Sequence, residues 1–461
     1  MQKPLLYLLL VTMMGCGSGV AEYSGTFFAG EIVNPTHEYV VLFKGETVVD
    51  SALLDENNRF VFTLDSLQSG LYHFKHNPEY QYVYLNEADS LWIRLNTMDF
   101  DESLIFSGNG AEVNNFLLEL FLASEKEKSF IYELYTLGPE EFNQEIDSLK
   151  RSKLALLEIL DKETGLLPKE KEIAQASIVY HYNTFKERYP FTHKKYAKDG
   201  LNDKLPDDFY AYRKEITFNN ADFTYLRPYY NFMTNHFGNL AYMSYTKKCG
   251  EIKGMVKNHL HFNTHKLELI DSLVEDGDLR DNLFRNVAFD YLLEVHDTEA
   301  NNQKFIERFH ELSGSNKHSG EVDDLYEAIR NIQPNKEIPD IRVVDNQGNT
   351  VSLRDIAKDS KTVFYFWSGT DRRHFDNITK RAAYLSKKMS KHRFIGISLR
   401  TDDAKWKRMM EDKDLNEDSQ YRAEDFEAVA KSLIIYPMNK CIITEDAKIV
   451  NAFSDMYASS F

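Results

Sequence analysis

Thr362-Val363-Phe364-Tyr365-Phe366-Trp367-Ser368-Gly369-Thr370-Asp371-Arg372-Arg373-His374-Phe375 is an apolar run that ends abruptly in a polar turn and then a charged segment. A run of β-branched and aromatic residues bounded by turn formers predicts a buried strand. From Asp371 to Met389 the apolar residues, Ile378, Ala382 and Leu385 among them, fall at helical spacing, so a helix follows the strand. A strand running into a helix N-terminus gathers free N–H groups and partial positive charge at one point, where chemistry is often done. The residue types that usually react at such a corner are absent from this one.

Outward from this stretch, strands and helices alternate. Ile338 to Asp355 reads as strand, Asn346-Gln347-Gly348 turn, strand and a short helix. After the helix to Met389 come a strand at Arg393–Leu399, helices at Asp403–Met410 and Ala423–Leu433, and a strand at Cys441–Thr444. Glu445-Asp446-Ala447 then turns the chain into a last strand, Lys448–Phe453. This order predicts a mixed sheet with helices on both faces.

Pro339-Asp340, the Gly348-Asn349-Thr350-Val351-Ser352-Leu353 hairpin, Phe366-Trp367-Ser368 and the hairpin from Ile442 to Val450 together resemble the thioredoxin-like domain of the TlpA/ResA-like family of extracytoplasmic thiol-disulfide oxidoreductases. The resemblance covers residues 338–461, about a quarter of the chain, and implies a thioredoxin-like α/β fold. Aligning Phe366-Trp367-Ser368 on the family's Phe-Trp-Ala places Asp371 and His374 where the family carries the two cysteines of Cys-x-x-Cys, so this is a degenerate member. A dithiol works because the helix N-terminus lowers the first thiol's pKa and a second sulfur resolves the intermediate. Asp371 has no two-electron couple and is the natural helix N-cap; His374 titrates or binds metal but closes no disulfide. Pro437, behind Tyr436, stands for the family's cis-proline. The positions equivalent to the active site are therefore Trp367, Asp371, Arg372, Arg373, His374 and Pro437, with no catalytic residue among them.

The N-terminus points to export. Met1-Gln2-Lys3, an apolar run from Leu5 to Met14 and then Gly15-Cys16-Gly17-Ser18 have the layout of a signal peptide, and the run is too short to span a bilayer, which takes about 20 residues. Cys16 behind Gly15 resembles a bacterial lipobox, which implies cleavage after residue 15, lipidation of Cys16 and a lipid anchor on the periplasmic side or outer membrane. Only Cys249 and Cys441 remain, so no disulfide framework exists. Cys441 reads as a small buried hydrophobe; its alternative is a one-cysteine redox site.

Residues 24–108 alternate in short strands separated by turns such as Glu56-Asn57-Asn58 and Asn77-Pro78-Glu79, which predicts a β-sandwich-like domain. Glu87 to Leu95 and Ile105-Phe106-Ser107-Gly108 resemble the small β-domain of unknown function that precedes thioredoxin-like domains in secreted Bacteroidetes proteins. Residues 110–335 carry long helical patterns and form a central helical domain, with Gly138-Pro139 opening one helix and Gly165 closing it. The chain is thus a multidomain α+β protein: signal peptide 1–15, lipidated linker 16–23, β-domain 24–108, helical domain 110–335 and thioredoxin-like domain 338–461.

Two clusters in the helical part invite a functional reading. His259, His261 and His265 have ligand chemistry, but an extended segment spreads them over about 20 Å and a helix puts only His261 and His265 on one face. Phe223, Tyr225, Tyr229, Tyr230, Phe232, Phe237 and Tyr242 read as helix packing. The net charge of −17 excludes a sequence-independent nucleic-acid binder, which needs a basic surface. The sequence therefore favours a thioredoxin-fold binding protein of the cell envelope, without cofactor or metal, taking an envelope protein or peptide. Thiol-disulfide exchange through Cys441 is the alternative, and a metal held by Asp371 and His374 a weaker third.

Overall fold

A computed structural model describes residues 25–196, 205–249 and 256–458. The signal segment, Cys16 and the side chain of Cys249 lie outside the described residues. Contacts gather the chain into two compact units: one holds the described residues up to Ala211 with Tyr225–Tyr230, the other Tyr212–Thr224 and the described residues from Asn231 onward.

The first unit opens with strands β1 (Thr26–Val33), β2 (Tyr39–Lys44), β3 (Thr47–Leu53), β4 (Arg59–Leu64), β5 (Gly70–His76), β6 (Glu79–Leu85), β7 (Ser90–Asn96) and β8 (Ile105–Asn109). They form two four-stranded sheets, ordered β4-β1-β7-β8 and β3-β2-β5-β6. Period-2 alternation turns one face of each sheet inward: Phe28, Phe60, Phe62 and Ile93 from one join Val40, Leu42, Phe74 and Val83 from the other in a single core. Gly30 is required where β1 lies against β7, because a Cβ there would sit 2.4 Å from Ile93 Cγ1.

A short α1 (Phe100–Ser103) precedes β8, and α2 (Ala111–Leu134), α3 (Pro139–Thr164) and α4 (Pro168–Tyr196) follow it. α3 has proline at its first position and ends at Gly165 in the left-handed region (φ 70°), as its sequence predicts. Phe142, Ile146, Leu157, Ile178 and Tyr189 form the core among these helices.

α5 (Arg227–Cys249) gives its first turn to one unit and the rest to the other. The second unit continues with α6 (His259–Leu273), α7 (Asp278–Asp290), a π-turn over Tyr291–Val295, α8 (Glu299–Ser313) and α9 (Ser319–Asn331). α6 begins at His259, so the histidine segment is helical; Asn258 caps it by accepting the His261 N–H at 2.9 Å. Phe223, Tyr229, Phe232 and Phe237 of the aromatic series are buried.

Beyond Ile338 come β9 (Arg342–Val344), β10 (Thr350–Ser352), α10 (Leu353–Ala357), β11 (Lys361–Ser368), α11 (Arg372–Lys388), β12 (His392–Leu399), α12 (Asp403–Glu411), β13 (Gln420–Arg422), α13 (Phe426–Leu433), β14 (Lys440–Glu445) and β15 (Lys448–Asp455). They build one seven-stranded sheet, β10-β9-β13-β12-β11-β14-β15. β11, β12 and β13 run parallel; the β14-β15 hairpin runs antiparallel beside β11. Parallel strands joined by crossover helices, with an antiparallel hairpin on the other side of β11, make a thioredoxin-like arrangement. β11 lies inside the sheet, between β12 and β14, with Thr362 to Ser368 all buried, which is why it reads as a continuous apolar run.

Candidate functional site

β11 is the strand at which the sheet changes direction, parallel to β12 on one side and antiparallel to β14 on the other. Outside the carboxyl ends of strands at such a point, loops diverge and leave room for a ligand. Four segments meet there in this protein: Gly369–His374, Arg400–Asp402, the start of α13, and Tyr436–Asn439.

The first segment is held by local chemistry. Gly369 approaches the β12 loop so closely that a Cβ would lie 2.6 Å from Thr401 Cγ2, and its N–H donates to Thr401 Oγ1 at 2.8 Å. Asp371 Oδ1 accepts the His374 N–H at 2.9 Å, so this carboxylate is the N-cap of α11. α11 turns Phe375, Ile378, Ala382 and Leu385 inward, and Phe375 meets the Trp367 ring at 4.5 Å between centroids.

The expected positions separate by environment. Trp367 is buried beneath the corner, its Nε1–H donating to Gln420 Oε1 at 3.1 Å while Gln420 Nε2 donates to the Tyr365 hydroxyl at 2.8 Å. Arg372 is exposed and engaged, 3.5 Å from Asp376 and 3.3 Å from Asp412. Arg373 is exposed and in no ion pair among the described residues. His374 is half-buried. Burial lowers its pKa, and the Asp371 carboxylate, the Asn439 side chain and the Met438 backbone act against that shift. Even so, neither of its shielded ring nitrogens reaches a partner with good hydrogen-bond geometry among the described residues. That places His374 against the loop carrying Pro437, whose bond to Tyr436 is cis.

Three residues of the corner carry no sequence signal. Arg400 is exposed, with its guanidinium 4.0 Å from the centre of the Phe426 ring at the start of α13. Phe426 in turn meets Tyr436, ring centroids 6.4 Å apart. Tyr436 is 55% exposed, and its backbone N–H and C=O bond to nothing among the described residues. Lys440 is the third, only 5% exposed, with Nζ donating to the carbonyls of Leu433 (2.7 Å) and Ile434 (2.6 Å) at the end of α13. Its aliphatic stem makes it look like an ordinary strand-edge lysine, but it ties the helix end to the first residue of β14. Burial pushes its pKa down to about 7, while the two carbonyls favour the ammonium.

Cys441 pairs with Tyr365 in the middle of the sheet and is 0% exposed; burial pushes its thiol up to about 12. A thiol so placed forms little thiolate, the form that attacks a disulfide. Away from the corner, His261 and His265 do share a face of α6, ring centroids 6.3 Å apart, and His265 Nε2 bonds Ser244 Oγ at 2.7 Å. No group of three or more His, Cys, Asp or Glu is placed to hold a metal among the described residues.

No protein-family model matches the sequence, and no curated protein matches it. Among solved structures, a putative thiol-disulfide oxidoreductase from Bacteroides vulgatus is similar over 28% of this chain and 93% of its own, at 22% identity and a TM-score of 0.26. A thioredoxin-like protein from Bacteroides caccae is similar over 43% of this chain and 74% of its own, at 10% identity and a TM-score of 0.31. A putative electron transfer protein from Aquifex aeolicus covers 27% of this chain and 88% of its own, at 16% identity and a TM-score of 0.24. At these identities and scores the likeness carries no argument about function, which rests on the strand order and the corner.

Proposed function

We propose that this chain is an exported thioredoxin-like protein, anchored to the envelope membrane through lipidated Cys16, whose corner at the end of β11 binds an extended segment of an envelope protein instead of exchanging disulfides. The observation that carries this reading is Tyr436: exposed, next to cis Pro437, with both backbone groups unbonded among the described residues and its ring against Phe426, on which Arg400 stacks. Free backbone N–H and C=O groups in an extended loop offer the pairing edge by which an added strand docks. Arg400, stacked on Phe426, and Arg373, one residue from His374, present guanidinium groups suited to carboxylates. The segment bound is therefore extended and acidic.

The thiol alternative gains no support from the geometry. Asp371 is spent on the helix cap, His374 carries no thiol, and Cys441 is buried with a raised pKa.

Photo-crosslinking from position 436 in envelope membranes tests the proposal. The chain with a benzophenone amino acid at Tyr436 should give a discrete crosslinked product, lost in Arg373→Glu/Arg400→Glu while the circular dichroism spectrum stays the same. Cys16→Ala should release the chain from membranes without changing the corner. Equal crosslinking with and without the two arginines would refute the binding site.

A further inference from the structure

We infer that the second unit holds a separate binding site for a small phosphate monoester, in the cavity between the starts of α6 and α8. The cavity measures about 610 Å³, within the range of small-molecule pockets. Its mouth carries Lys257, His259, His296 and Lys304, all exposed, and neither lysine is in an ion pair among the described residues. In a chain of net charge −17, two lysines without a carboxylate partner among the described residues face this one concavity.

Asp297 is the acidic residue in the lining, and its carboxylate is held by neighbours of its own chain. One carboxylate oxygen accepts the Thr298 N–H and Asn301 Nδ2, both at 2.8 Å, and the other accepts the Tyr291 hydroxyl at 3.0 Å. It shapes the wall and forms no ion pair with Lys257 or Lys304 among the described residues. His296 is fixed from outside the cavity, stacked on Phe453 at 4.2 Å between centroids. Both helix starts add to the field: Asn258 and Thr298 cap the third N–H of their helices, and the first two of each lie outside the intrahelical ladder.

The lining selects the class of ligand. A cavity this wide exceeds a bare oxyanion. Asn258, Thr298 and Asn301 supply donors and acceptors for hydroxyl groups, with Leu260 and Val295 as the apolar wall. Two lysines match the double charge of a phosphate monoester, so a phosphorylated, hydroxyl-bearing small molecule such as a sugar phosphate fits better than a carboxylate or an apolar ligand.

Titration calorimetry on the full chain with glucose 6-phosphate, inorganic phosphate and glucose decides the matter. The ester should bind saturably at one site and more weakly as salt rises. Lys257→Glu and Lys304→Glu should each weaken it about tenfold or more, since each removes a charge-assisted contact. Lys387→Glu, an exposed lysine on α11, should leave it unchanged. Lys257→Gln and Lys304→Gln repeat the test with less charge reversal if either glutamate form fails to fold. Absence of saturable binding at millimolar ester, equal binding of glucose, equal affinity for inorganic phosphate, or indifference to both lysine changes would each overturn the assignment.

Discussion

Replacing Asp371 by alanine separates a structural carboxylate from a functional one. In the folded chain Asp371 Oδ1 takes the His374 N–H at 2.9 Å and places a negative charge at the positive end of a 17-residue helix. Losing a cap of this kind costs about 1 kcal/mol, within a range of roughly 0.5–2. The lost charge adds about 0.3–1 kcal/mol in the exposed setting of this residue. Asp371→Ala should therefore destabilise the C-terminal sheet by about 1–2 kcal/mol. Asp371→Asn keeps the acceptor and loses only the charge, so its cost stays within about 0.3–1 kcal/mol. Phe375 on the same helix turn packs on Trp367, which makes tryptophan fluorescence the local probe. In a Trp92→Phe background the two remaining tryptophans, Trp367 and Trp406, both report on this part of the chain. Urea titrations are compared by midpoint, because a chain of several domains need not unfold in one step. A neutral Asp371→Ala, or an Asp371→Asn as costly as the alanine form, would refute the cap as the role of this residue. Loss of crosslinking from position 436 in Asp371→Asn would mean that the carboxylate is recognised by the partner.

Two further outcomes follow from the buried groups under the corner. Between pH 7 and 9 the chain should gain stability. Lys440 has a folded pKa of about 7 against an unfolded value near 10.5, so the folded state binds fewer protons across that window and stability rises with pH, at most about 1.4 kcal/mol per unit. Lys440→Met should flatten this rise relative to the parent, measured by urea midpoints at pH 7, 8 and 9; an unchanged slope would show that the ammonium is not the group titrating. Above pH 9 the trend reverses for Cys441, whose raised thiol pKa makes the folded state the better proton binder. In a Cys16→Ala/Cys249→Ser chain, Cys441 should react with an aromatic disulfide reagent only after denaturation, and insulin reduction should stay at background with or without Cys441→Ser. Turnover that depended on Cys441 would restore the thiol reading.

The outline of the C-terminal sheet was legible because its signals are local. A strand buried on both faces must be apolar throughout, as Thr362 to Trp367 is, and a helix beginning at Asp371 needs an oxygen to take its orphan N–H. The β14-β15 hairpin was legible from its turn, and β9-β10 from Asn346-Gln347-Gly348. β13 was not. Gln420-Tyr421-Arg422 has no strand pattern, and what holds Gln420 inside is its amide bridging Trp367 and Tyr365, residues more than 50 positions away.

That no cysteine follows Trp367 at the end of β11 is read from the sequence by itself, since it depends only on which residues stand there. The sequence also placed the strand, the helix and the turn that make the corner, because caps, turns and apolar periodicity act over a few residues. Which side chains face one another was decided by the tertiary structure. Arg400, Phe426 and Tyr436 meet only because the end of β12, the start of α13 and the Pro437 loop come together. Lys257 and Lys304 share a cavity only because α6 and α8 start side by side. Lys440 is buried only because a helix end supplies two carbonyls to its ammonium. Such contacts join residues far apart in sequence, and neither propensity nor spacing along the chain encodes them.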